Sequence, residues 1–127
     1  MAILFVFVGG GAGAVMRYLA GVAWLRAMGP AQPYMATAII NVLGGLCMGA
    51  LVGWLARYEL GAAARLRLLL GVGVLGGFTT FSSFSLEAVN MIQRKAYGVA
   101  AVYVGGSVVL SILAVMLGLV LMRRLAA

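Results

Sequence analysis

The chain has 127 residues, 65% of them hydrophobic and 9% charged, with no histidine and a net charge of +7. A soluble domain carries about 25% charged residues, so this composition excludes a water-soluble globular protein and indicates an integral membrane protein. The charge lies almost entirely on arginines near the ends of apolar segments. That is the pattern of headgroup anchors rather than of a nucleic-acid patch, so the bilayer is the expected partner and nucleic acid is not.

A bilayer core takes about 20 apolar residues per helix. Four segments meet this length, approximately 3–28, 34–58, 66–93 and 97–122, and they make up a single all-α transmembrane domain over 1–127. The first segment begins at once, without a basic leader or a clear cleavage site, and reads as a membrane span rather than a removed signal peptide. It carries Gly9-Gly10-Gly11-Ala12-Gly13 and then Arg17, both unusual inside a span. A cation at that depth is a functional-site candidate, although a long side chain can also reach toward the interface. Pro30 and Pro33 mark the first link.

The second segment carries Thr37 and, one helical turn later, Asn41, set among Ile39, Ile40, Val42 and Leu43. An amide in lipid must find partners. Asn41 is thus either an interhelical hydrogen-bonding group or a donor that replaces water around an ion. Gly45, Gly49 and Gly53 follow at four-residue steps, and Gly73 and Gly77 repeat the spacing in the third segment, which lets helix backbones approach closely. A bundle this tight leaves little interior for a pore, so self-association is expected. Cys47 is the only cysteine and has no metal-ligand company.

The third segment holds the most informative stretch, Gly76-Gly77-Phe78-Thr79-Thr80-Phe81-Ser82-Ser83-Phe84-Ser85. Paired glycines followed by β-branched threonines make poor helix, so a break in mid-membrane is expected. Non-helical backbone at that depth is tolerated only where protein buries it or it lines a watery path. Phe78, Phe81 and Phe84 fall close to one face, with hydroxyls between them. Glu87 is the only acid inside a span and lies at a similar depth to Arg17, which makes an Arg17–Glu87 pair a reasonable expectation. If Arg17 is instead free, it offers positive potential at a vestibule.

The fourth segment carries Tyr103, Ser107 and Ser111 at four-residue steps, a line of hydroxyls down an apolar helix. The intramembrane inventory is therefore rich in donors and poor in acids. Ring edges are the positive part of an aromatic quadrupole. Together these favour a pathway for a small ion, an anion before a cation. An enzyme is not expected, because no nucleophile–base pair or ligand cluster is present.

Four spans put both termini on one side, with Arg57, Arg65, Arg67, Arg123 and Arg124 against Glu59; the other side has Arg26, Arg94 and Lys95, with Arg17 deeper. The positive-inside rule favours cytoplasmic termini, but by so small a margin that the charges permit insertion both ways.

The 76–85 motif, the glycine-rich run ending in Arg17-Tyr18, and Thr37 with Asn41-Val42-Leu43-Gly44 together resemble the Fluc (CrcB) fluoride channels over the whole chain. The resemblance implies an antiparallel, dual-topology homodimer with two pores, exporting fluoride passively through the bacterial cytoplasmic (inner) membrane and so protecting the cell. It implies that Phe81, Phe84 and Asn41 line the pore, and that Tyr103, Ser107, Ser111 and Thr37 form a polar track, the fourth-segment residues being matched by spacing only. It further implies that Arg17 faces a vestibule, and that the Gly76 and Thr79 carbonyls of both chains hold a structural Na⁺. Two other readings are weighed against it. A small dual-topology multidrug exporter would need a glutamate in the first segment, which is absent, and a non-transporting assembly subunit would leave the hydroxyl line unexplained.

Overall fold

Residues 1–125 are described by a computed structural model. Every regular element among them is helical: α1 (Ala2–Met28), α2 (Pro33–Leu55), α3 (Leu60–Leu66), a π-helical stretch (Arg67–Leu75), the single turn α4 (Gly76–Phe78), α5 (Phe81–Gln93) and α6 (Tyr97–Leu125). Four stretches are long and apolar enough to cross a membrane: Ala2–Met28, Pro33–Leu55, Leu60–Gln93 and Tyr97–Leu125.

The helix ends follow local chemistry. Pro33 begins α2, where its missing N–H costs nothing. That helix stops at Leu55, short of Tyr58, because Arg57 and Tyr58 donate to the Trp54 and Leu55 carbonyls in a tightening turn. Leu55 is fully buried, and Ala63 packs with it in a cluster completed by Trp54, Leu66 and Leu70. This cluster folds α3 back against the end of α2. After α5, Lys95 takes the left-handed conformation at φ 58°, and Ala96 N–H reaches the Met91 carbonyl at 2.9 Å. That 6→1 bond closes the helix as a Schellman turn.

Two seams hold the long helices, and both bring backbone against backbone. Along α2–α6, a Cβ on Gly45 would stand 3.0 Å from the Ser111 carbonyl and one on Gly53 2.9 Å from that of Leu119; between them, Gly49 lies directly on the Val115 carbonyl. Gly118 returns the contact against Leu46. The four-residue glycine spacing of α2 is thus a packing device. Along the second seam, Gly9 and Gly13 of α1 rest on the Leu69 and Val74 carbonyls, and Gly73 and Gly77 face Gly9 and Gly10. The glycine run of α1 therefore stays helical and serves close approach. Much of the remaining apolar surface is exposed, including Ile3, Phe7, Val102 and Met116.

Replacing Gly49 by Val should cost about 1–3 kcal/mol through overpacking. Gly98→Ala, at a position with nothing within 4 Å, should stay within about 0.5 kcal/mol. Thermal midpoints in detergent check both, and equal midpoints would contradict the seam.

Candidate functional site

The site begins at the two residues between α4 and α5. Thr79 (ψ 158°) and Thr80 (φ −150°, ψ 116°) are extended, between α4 and α5. Thr79 Oγ1 bonds back to the Leu75 carbonyl at 2.9 Å, beside the Thr79 N–H that keeps its helical bond to the same oxygen at 3.0 Å. Thr80 caps α5, its Oγ1 accepting the Ser83 N–H at 3.2 Å. Asn41, on α2, then binds both sides of the Thr80 backbone. Its Oδ1 accepts the Thr80 N–H at 2.8 Å, and its Nδ2 donates to the Thr80 carbonyl at 3.0 Å. One side chain thus replaces the pairing a neighbouring strand would give.

This arrangement redirects two N–H groups that a continuous helix would pair with carbonyls before the break. In a continuous helix the Gly76 carbonyl accepts from Thr80 N–H, and the Thr79 carbonyl from Ser83 N–H. Those N–H groups go instead to Asn41 and to Thr80 Oγ1. Arg17 Nη1 donates to the Thr79 carbonyl at 3.5 Å.

Beside the extended pair lies an open cleft of about 320 Å³, lined by Asn41, Thr79, Thr80, Phe81, Phe84, Ser107, Val108, Ser111 and Ile112. An amide, hydroxyls and two rings therefore meet around one space, from α2, α5 and α6. Phe81 is 78% exposed. Ring centroids step from Phe81 to Phe84 (5.7 Å), from Phe84 to Tyr103 (5.4 Å) and from Tyr103 to Tyr34 (5.4 Å, edge-on).

Thr37 and Tyr103 are both buried and stand one step further on, converging on Glu87. Thr37 Oγ1 donates to Glu87 Oε1 at 2.8 Å, and the Tyr103 hydroxyl donates to Oε2. Beyond them a smaller cleft of about 240 Å³ is lined by Tyr34, Glu87, Asn90 and Arg94, among others. Arg17 lines a separate cleft of about 320 Å³ with Thr37, Thr80 and Ser83.

The expected Arg17–Glu87 pair is not formed. Both carboxylate oxygens are engaged by hydroxyls, and Arg17 turns to the Thr79 carbonyl. Similar depth along two helices says nothing about the direction each side chain faces around its axis. Two further residues matter that the sequence reading passed over as site members. Thr80 joins the two clefts and carries the Asn41 contact; its helix-capping relation to Ser83 was the available signal. Glu87 is the acceptor for two of the candidate hydroxyls; its standing as the only acid inside a span marked it, but pointed to Arg17 as its partner.

Asn41→Leu removes the partners of the Thr80 N–H and carbonyl together. A buried polar group left unpaired costs about 1–3 kcal/mol, so this variant should unfold at a clearly lower temperature than a Val42→Leu control. Equal midpoints would show that the Thr80 backbone is satisfied without Asn41.

With this geometry in place, comparison with known proteins is specific. The family described as "CrcB-like protein, Camphor Resistance (CrcB)" matches residues 4–119. The chain is 54% identical over 126 residues to a protein of Phenylobacterium zucineum, covering 99% of this chain and 98% of that one. It is 52% identical over 123 residues to one of Novosphingobium aromaticivorans, with 96% of each chain covered. It is 51% identical over 125 residues to one of Caulobacter vibrioides, with 98% of each covered. All three relatives are named fluoride-specific ion channel FluC. With the match reaching from α1 into α6, the chain belongs to the CrcB family.

Proposed function

We propose that this protein is a fluoride channel: a multi-pass bacterial membrane protein that lets fluoride leave the cytoplasm passively and so limits its toxicity. The observation that carries this reading is the near-complete alignment, at about half identity, with relatives named as fluoride-specific channels. The cleft chemistry agrees with it. A multidrug exporter of similar size is disfavoured, since α1 carries no glutamate, and neither a non-transporting subunit nor an enzyme fits a family of ion channels.

Fluoride binds water tightly, so a path through lipid must offer positive partners at each step. Around the first cleft these are the remaining amide hydrogen of Asn41, the hydroxyls of Ser107 and Ser111, and the ring edges of Phe81 and Phe84. The next donors, Thr37 and Tyr103, are held by Glu87. An anion using them competes with that carboxylate for the same hydrogens, so passage requires Glu87 to release at least one hydroxyl. Arg17, in its own cleft, contributes positive potential beside the break and suits a vestibule role.

The finer parts of the reading rest on the same groups. A cleft open along one side cannot enclose an ion that has lost its water, and a second copy would close it. The exposed Phe81 and the bare apolar helix faces support a homodimer. Near-balanced flanking charge supports an antiparallel, dual-topology pairing in the cytoplasmic membrane, which gives two pores. The break in the third span, at Thr79–Thr80, is where the pore forms.

The Gly76 and Thr79 carbonyls have lost their helical partners and are hard oxygen donors, so they fit a Na⁺ shared between two copies. Such an ion would supply a central positive charge and tie the chains together. Arg17 bonds the same Thr79 carbonyl through its second lone pair.

Phe81→Leu and Phe84→Leu test the pore. As packing bulk the rings would be replaceable at under about 1.5 kcal/mol. As ion-facing edges their loss raises a barrier, and each 1.36 kcal/mol is about tenfold in rate. Both variants should elute as folded protein and slow fluoride-electrode efflux from liposomes at least about tenfold. Mixed dimers with wild type should keep partial flux, and replacing Na⁺ by a larger cation should lower it. Normal flux in both folded variants would remove the rings from the pathway.

A further inference from the structure

One end of the bundle gathers five arginines, a modest excess over the other end that the packing concentrates in one place. Arg57 follows α2, Arg65 lies in the last turn of α3, Arg67 begins the π-helical stretch, and Arg123 and Arg124 close α6. All five are exposed, and Glu59 is the one acid beside them in the sequence. The packing gathers them. Gly53 sits against the Leu119 carbonyl and Met122 Cβ, which sets the end of α6 beside the end of α2. The Leu55–Ala63 cluster does the same for α3. Arg123 and Arg124 complement the C-terminal dipole of their helix, and Arg57 stands just past the C-cap of α2, but Arg67 begins its stretch and has no such role. At the opposite end only Arg26, Arg94 and Lys95 flank the spans.

Within the basic end, Trp54 and Tyr58 form an edge-on pair with centroids 5.1 Å apart. Trp and Tyr mark the headgroup level of a bilayer. Guanidiniums offer paired N–H donors that match phosphate oxygens.

We propose that this end is a binding surface for anionic phospholipid headgroups, with the lipid phosphate held by the arginines around the Trp54–Tyr58 pair. The position of the aromatic pair favours a lipid over a soluble polyanion, because it sets the guanidiniums at the membrane surface. The surface lies apart from the donor-lined clefts and does not depend on the reading of them.

The test uses the two tryptophans as reporters, Trp54 at this end and Trp24 at the other. In Trp24→Phe protein in phosphatidylcholine liposomes, Trp54 fluorescence is titrated with phosphatidylglycerol brominated near the top of its acyl chains, or with equally brominated phosphatidylcholine. The brominated phosphatidylglycerol should quench at mole fractions at least about threefold lower, as expected from several basic residues acting together at a surface. That advantage should be smaller for Trp24 in Trp54→Phe protein. It should disappear in Arg57→Gln/Arg65→Gln and Arg123→Gln/Arg124→Gln proteins, and it should survive millimolar inorganic phosphate. Equal quenching by the two lipids, a comparison that needs no arginine variant, would overturn the proposal. So would an equal advantage at both tryptophans, an advantage that persists in the glutamine variants, or one abolished by free phosphate.

Discussion

The paired hydrogen bonds between Asn41 and the Thr80 backbone are the contact on which the rest of the site depends. A chain in lipid cannot leave its helix without partners for the groups it exposes, since each unpaired group costs several kcal/mol. Asn41 supplies both partners at one residue, and the Thr80 hydroxyl supplies a third to Ser83. With Thr79 and Thr80 held extended, α5 starts afresh, and its first turn places Phe81 and Phe84 beside the hydroxyls of α6. The same diversion of N–H groups leaves the Gly76 and Thr79 carbonyls available. One amide therefore sets the rings, the hydroxyl cleft and the carbonyl donors together.

The molecule divides its helices between two kinds of contact. The glycine seams press α2 on α6 and α1 on the π-helical stretch with no side chain between them. Such seams have one register, because carbonyl against glycine leaves no room to slide. By contrast, α5 packs loosely, with clefts on either side and Phe81 open. Rigid seams fix where the donors stand, and the looser helix leaves the space an ion needs. A single copy buries the seams but leaves the clefts open on one side, the physical reason for reading a second copy into the working channel.

Much of this was legible in the sequence because membrane chains have a short vocabulary. Apolar lengths gave the spans, and the glycine spacing of α2 announced its seam. The Gly-Gly-Phe-Thr-Thr stretch stood out against ordinary helix chemistry. The direction of side chains around their helices was not legible. Arg17 and Glu87 were matched by depth and charge, yet two hydroxyls from other helices hold the carboxylate. Asn41 could be read as a helix-to-helix contact or as an ion donor, and its bonds to Thr80 show the first directly. The glycine run of α1 is unusual for a span in the sequence alone because its partners, Leu69 and Val74, lie across a seam that only the packed chain reveals.

The central claim is that the donor-lined cleft beside the extended threonines carries fluoride and not a larger halide. The most direct measurement is passive efflux of fluoride and of chloride from liposomes holding the purified wild-type protein, each driven by its own gradient. The account predicts rapid fluoride loss and chloride loss no faster than from protein-free liposomes. Equal efflux of both ions, or fluoride retained as in empty liposomes, would contradict it.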